Sequence, residues 1–219
     1  LALYNAEYIE VLRSFNKILK MRNTVLKNRD LRLLDTLDIQ FAQSGLEIIR
    51  RREEVVAEIN HFFTDFYKTI SEIDQVRLEY RTGWKEKSVE KVLAYLQEHR
   101  SRDLEFGTTM SGPQRDKVHY LHGSSLFIPH ASTGQVRLIS LVLRAVQAQC
   151  YTEKTKRKPV LLLDDVLLEL DPEKKVKFTQ LLPEYDQLFC TFLPGEPIDS
   201  YRHENTKVYY VQDGEFADE

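Results

Sequence analysis

From Tyr4 to about Ile70 the apolar residues recur at intervals of three and four, the period of a helix with one buried face. Tyr4, Tyr8, Val11, Phe15, Ile18 and Met21 form one series; Leu34, Leu37, Phe41, Ile48, Val55, Ile59, Phe62, Phe66 and Ile70 form a second. Asn28-Arg-Asp30 separates them, so the spacing predicts an antiparallel hairpin of helices whose stripes pack on each other. Val76 to Tyr80 alternates as a strand does, and Val89 to Leu96 reads as a short helix. After about Leu104 the pattern turns to α/β, with strands expected at 118–121, 160–164, 187–191 and 207–211. Leu138, Leu141, Val142, Ala145 and Val146 place one more helix between the first two of these strands. Two domains are expected, a mainly helical one over 1–103 and an α/β one over 104–219.

The apolar run Val160 to Leu163 reads as a strand buried on both faces, as in a parallel sheet covered by helices. It delivers Asp164 and Asp165 to the carboxyl end of the strand, where open α/β sheets gather their ligands. Two adjacent buried carboxylates call for a shared cation or proton, and a magnesium–nucleotide complex supplies the cation. Upstream, Ser132-Thr-Gly-Gln-Val-Arg137 opens the helix just named. Ser132 can cap it, Gly134 lets a phosphate come close to the backbone, and the free amides with the helix dipole make an anion site. An ordinary capped helix is the alternative for that segment taken alone. Together the segments resemble the signature (Ser-x-Gly-Gln), Walker B and D-loop (Leu170-Asp171) of ABC-type ATPases, in that order.

Further matches narrow the resemblance. Lys20-Met-Arg-Asn23 with Leu26, Leu37-Asp-Ile-Gln40, Arg81-Thr-Gly-Trp84, Ser111-Gly-Pro-Gln-Arg-Asp116 and the tail Glu204-Asn-Thr-Lys207 with Gly214 are similar to segments of the RecF family. That family consists of bacterial recombination mediators, ABC-type ATPases related to SMC proteins. The resemblance implies a helical arm followed by the C-terminal part of an ATPase head. It implies ATP and Mg2+ as cofactors, with Asp164 on the metal and Asp165 as general base. Ser132, Gly134 and Gln135 would touch the nucleotide of a second subunit, and Asp171 would couple the two sites of an ATP-bound homodimer. The partners implied are gapped or junction DNA, RecR and RecO, and the location is cytoplasmic.

The chain departs from the pattern at two positions. Gln114 stands where histidine is usual, leaving Arg115 as the contact residue there. Phe192-Leu193-Pro194 holds no switch histidine, so Thr191 is the candidate to polarise water. No Gly-x-x-x-x-Gly-Lys-Ser/Thr loop occurs among the 219 residues, which hold only eight glycines, and the sequence opens at Leu1 inside a helical pattern. Without that loop nothing cradles the β- and γ-phosphates. The expectation is a C-terminal portion of a longer protein, inactive alone.

Composition adds limits. A net charge of −3 gives no global basic field, so DNA contact must come from a local patch or a dimer groove. The candidates for DNA or interface contact are Arg115, Arg137, Lys156, Arg157 and Lys158, with Lys154 beside them; Arg50-Arg51-Arg52, followed by Glu53-Glu54, reads instead as a solvated face with internal ion pairs. Cys150 and Cys190 read as reduced cytosolic thiols. His119, His122 and His130 are too irregularly spaced for a zinc site. Two other functions compete: a non-catalytic interaction module that keeps the dimer interface, and a metal-dependent nuclease built on Asp164 and Asp165. The nuclease needs more carboxylates than the neighbouring Glu169.

Overall fold

The computed structural model describes residues 6–193, 195, 196, 198, 202, 204–212 and 214–218, so Tyr4 and Pro194 lie outside the described residues. The two apolar series become α1 (Ala6–Asn28) and the long α2 (Leu34–Ser71), which form the expected antiparallel hairpin. The chain reverses where Arg29 takes a left-handed conformation (φ +54°) and the Asp30 side chain caps a 3-10 turn over Leu31–Leu33. Ser88 caps α3 (Val89–Glu98), and α4 (Arg100–Phe106) ends on Gly107 at φ +59°.

β1 (Val76–Arg81), β2 (Lys117–His122) and β3 (Ser125–Leu126) form an antiparallel sheet with Leu78 opposite Tyr120. On the outer edge of β1 the Asn60 side chain of α2 accepts from the Leu78 amide and donates to its carbonyl, both at 2.8 Å. That pair satisfies backbone groups a further strand would otherwise have to meet. α5 (Thr133–Thr155) leads to β4 (Val160–Leu163), α6 (Pro172–Gln180) and β5 (Gln187–Cys190); β4 and β5 pair in parallel, as a crossover through a helix allows. β6 (Tyr209–Gln212) and β7 (Glu215–Asp218) close a hairpin; the strand expected at 207–211 is β6, which begins two residues later.

The two buried cores share α2. One gathers Phe15, Phe41, Ile48, Trp84, Val92 and Leu96 around the hairpin and α3. The other packs Phe63, Tyr67 and Ile70 from the far half of α2 against Val76, Leu138, Val142, Val146 and Phe178. α2 thus carries the first core into the second, which holds the α/β elements.

One expectation fails. β4 is not buried on both faces: Val160 and Leu162 are 54% and 72% exposed. Leu163 packs into the second core, but among the described residues no element covers the opposite face, and β4 pairs only with β5. An apolar run shows that both faces can be buried, not that both are.

Candidate functional site

The parallel register pairs Leu163 with Cys190, which brings the residues just beyond each strand together. The Thr191 amide donates to the Leu163 carbonyl (3.1 Å), and the Thr191 hydroxyl then sits between the two aspartates. Its Oγ1 accepts from the Asp165 amide at 2.8 Å and lies 2.9 Å from Asp164 Oδ1 and 3.3 Å from Asp165 Oδ1. One hydroxyl has one proton, so it donates to one carboxylate at a time. Asp165 holds φ +54°, a left-handed conformation at the start of a 3-10 turn over Val166–Glu169. A non-glycine residue there is uncommon and turns the chain sharply out of the strand.

Both aspartates are exposed, which removes the argument that burial forces them to share a cation. The donor set still suits magnesium, which keeps several waters and takes one or two carboxylates together with substrate phosphates. Asp164 and Asp165, flanked by Thr191, would hold it in that manner. No group of three or more His, Cys, Asp or Glu side chains able to hold a metal occurs among the described residues, and the Glu169 side chain is not among them. The nuclease reading therefore gains no further carboxylate.

Ser132 caps α5 as expected, in a reciprocal capping box. Its Oγ accepts from the Gln135 amide (3.2 Å), and its own amide donates to Gln135 Oε1 (2.7 Å). Thr133 and Gly134 are the first residues inside the helix, so their amides have no intrahelical acceptor. A Cβ at Gly134 would meet nothing nearer than Ser132 Oγ at 4.0 Å, so the approach to those amides is open. Leu138, Val142 and Val146 of α5 pack in one core with Leu167 and Leu170, which follow the aspartates. The two motifs share that core.

Asp171 caps α6: its carboxylate accepts from the Lys174 amide (2.9 Å) and pairs with the Lys174 ammonium. The hydrogen bond from Lys174 holds this carboxyl below its usual range. Arg115 is exposed on a turn fixed from several sides. Gly112, at φ +111°, lies against Phe41 and Trp84; the Arg52 guanidinium donates to the Pro113 carbonyl (2.6 Å), and Tyr80 donates to Asp116. Arg52 thus leaves the ion-paired helix face expected for Arg50 to Arg52, whereas Arg50 and Arg51 bind Glu47 there. Burial and the anionic Asp116 push the Tyr80 phenol well above its ordinary range. Arg137 is exposed on the second turn of α5. Lys156 caps the far end of α5 at φ +56°; Arg157 follows it, Lys158 pairs with Glu184 (3.1 Å) and Lys154 with Glu58 (2.6 Å).

The feature that sequence reasoning misses is a buried ionic cluster between the hairpin and α4. Arg22 is wholly buried, with Nε 2.8 Å from Asp38, and Nη1 2.7 Å from both Asp103 and the Thr109 hydroxyl. Asn23 Oδ1 accepts from the Thr109 amide (2.8 Å), and Arg100 reaches Asp38 Oδ2 (2.9 Å). A signal was present: Arg22 falls on the stripe that carries Phe15 and Ile18 into Leu26, and Asp38 falls beside Leu34, Leu37 and Phe41. A cation in one apolar stripe and an anion in the facing stripe can meet.

Helical hairpin, signature-like helix, aspartate-tipped strand and parallel partner strand together define an α/β protein of the ABC-ATPase class, comprising the C-terminal part of the head and a mainly helical arm. The comparisons narrow this class. RecF of Treponema pallidum, a DNA replication and repair protein, is 48% identical over 214 residues, covering 98% of this chain and 61% of the relative. RecF of Clostridium perfringens is 33% identical over 217 residues, covering 96% and 59%. A solved structure of the recombination mediator protein RecF-ATP in the RecFOR pathway superposes with a TM-score of 0.77 at 26% identity, covering 98% of this chain and 59% of that one. No family model matches. The chain is similar to RecF proteins over nearly its whole length, and it spans about three-fifths of the length of these relatives.

Proposed function

We propose that this chain works in DNA replication and repair as the arm (1–103) and C-terminal head (104–219) of a RecF-like, ATP-dependent DNA clamp of the RecFOR pathway. The observation that carries the reading is the paired arrangement at one core: an open helix N-terminus behind Ser132-Thr-Gly-Gln135, and Asp164 and Asp165 gathered by Thr191 at a strand end. Similarity to the RecF-ATP structure supports ATP as the nucleotide.

In this reading Asp164 holds Mg2+, which neutralises charge on the phosphates, and Asp165 takes the proton of the attacking water. Its side chain is one methylene shorter than a glutamate, which suits slow, switch-like turnover. Thr191 orients both carboxylates. The amides of Thr133 and Gly134, with Ser132 and Gln135, meet the γ-phosphate held by the second subunit, and Asp171 couples the two sites. Two heads then close on ATP, clamp gapped or junction DNA, act with RecO and RecR, and reopen on hydrolysis. Arg115, Arg137, Lys156, Arg157 and Lys158 are the candidate DNA or interface contacts, and the location is the cytoplasm. No helix among the described residues is long and apolar enough to cross a membrane. The phosphate-binding loop would lie outside these 219 residues, and the chain by itself would not turn over ATP.

The test is the mass in solution of the protein together with its phosphate-binding loop, with and without ATP–Mg2+, beside a Ser132→Arg variant. An ATP-dependent dimer lost in the variant is expected. A monomer under every condition would favour a second reading, a non-catalytic interaction module. The capping box is the observation on that side, because it engages Ser132 and Gln135 with each other.

A further inference from the structure

The outer side of α1 carries a charge pattern found on no other helix of the hairpin. From Val11 to Arg29 the chain holds Arg13, Lys17, Lys20, Arg22, Lys27 and Arg29 and no acidic residue. Arg22 turns inward to Asp38 and Asp103. Arg13, Lys17, Lys20 and Lys27 are exposed, and their spacing of four, three and seven keeps them on one helical face. None forms an ion pair with a described acid, whereas on α2 Arg50 and Arg51 are matched to Glu47. The acids at the hairpin tip are already committed, Asp30 to Arg32 and Asp35 to Arg100. Like charges three and four residues apart on a helix repel, a cost that a bound anion removes.

Beside this stripe lies a groove of about 460 Å³ between α1 and α2. Met21, Val25, Leu33 and Leu37 line it together with the polar Lys20, Thr24, Thr36 and Gln40. Met21 and Leu33 are 46% and 58% exposed. A methionine in such a wall adapts to varied shapes. The volume is that of a pocket for a few aliphatic side chains.

We propose that this groove is a docking site for an acidic amphipathic helix of a partner protein. Apolar residues of the partner at i, i+3/i+4 and i+7 would fill the groove between Met21 and Leu33, and acids flanking them would lie on Lys17, Lys20 and Lys27. Nucleic acid explains less: phosphates would use the cationic stripe but leave the apolar walls uncovered. The attraction of exposed charges would speed association and weaken as salt rises.

The test titrates the protein together with its phosphate-binding loop with labelled amphipathic peptides that share one leucine stripe and carry Glu, Gln or Lys on the polar face. The Glu peptide is expected to bind best and the Lys peptide worst. Leu33→Asp should weaken the Glu peptide by about tenfold or more, about 1.4 kcal/mol by the usual conversion. Lys17→Glu with Lys20→Glu should abolish the preference among peptides. These side chains are exposed, and unchanged Trp84 emission checks that each variant is folded. Equal binding of the peptides, no binding by any of them, or indifference to Leu33→Asp overturns the proposal. Duplex DNA that displaces the Glu peptide, and whose own binding needs the lysines but not Leu33, overturns it in favour of a nucleic-acid surface.

Discussion

Arg22 Nε lies 2.8 Å from Asp38 Oδ1 with both side chains withdrawn from water, so the helical hairpin is closed by a buried ion pair as well as by its apolar stripes. Asp103 and Thr109 share the same guanidinium, which ties α4 and the turn after it to the hairpin. Removing one partner of such a pair costs about 3–5 kcal/mol, because the remaining charge stays buried. Arg22→Met is therefore expected to lower the urea-unfolding free energy by that amount. Adding Asp38→Asn to it should cost less than the sum of the two single changes, since the groups are coupled. Additive losses would mean that the cluster does not act as a unit.

Gly45 sits inside α2 where Trp84 crosses it: an added Cβ would lie 2.6 Å from Trp84 Cζ3 and 2.9 Å from Cη2. The neighbour is a buried ring packed on Phe41, not the end of a flexible chain. Gly45→Ala gains helix propensity but forces that ring to shift, and overpacking costs about 1–3 kcal/mol. The variant should be net destabilised. Trp84 is the only tryptophan, so its emission should report the shift directly. A more stable variant with unchanged emission would show that the contact is slack.

Burial and pairing set how far the sequence could be read. The hairpin, α3, α5 and most strands are legible because each repeats an apolar period over several turns or pleats. α4 (RSRDLEF) and α6 (PEKKVKFTQ) are not: they are short and polar, and α6 buries only Phe178. The β4 run was legible as a strand but not as a half-open one, because cover is supplied by other elements. The Arg22 cluster was missed because its members stand up to 87 residues apart, and only the fold brings them together. Ser132 as a helix cap followed from the local sequence alone. The position of the Thr191 hydroxyl between two aspartates depends on the parallel register of β4 and β5.

Glu47 on α2 accepts from Arg50 and Arg51, and these bonds, Arg50 first, hold its carboxyl down at about 2 against an ordinary 4.5. A depressed folded-state value contributes stability that is fully present above the unfolded value and is lost as pH falls through the folded one. Glu47→Gln should therefore flatten the fall in melting temperature between the ordinary value and the depressed one. The pair is partly exposed, so its effect at neutral pH should stay under about 1 kcal/mol. An acid limb that keeps its slope in Glu47→Gln would place the sensitivity in other carboxylates.

Thr191→Val separates the shape of the aspartate site from its hydrogen bonds. The substitution keeps the β-branched outline but removes the oxygen that accepts from the Asp165 amide and lies 2.9 Å from Asp164. The site is exposed, so water can replace the lost partner, and stability should change by less than about 1 kcal/mol. The orientation of the carboxylates has no such substitute. Partners that orient metal-binding groups are typically worth about 10–100-fold in affinity or activity, and a loss of that size in magnesium-dependent ATP turnover is expected in the protein with its phosphate-binding loop. Thr191→Ser should restore it, because the hydroxyl returns. Full turnover in Thr191→Val would show that the two aspartates are held without Thr191. Equal losses in the Val and Ser variants would show that packing at position 191 matters and the hydroxyl does not.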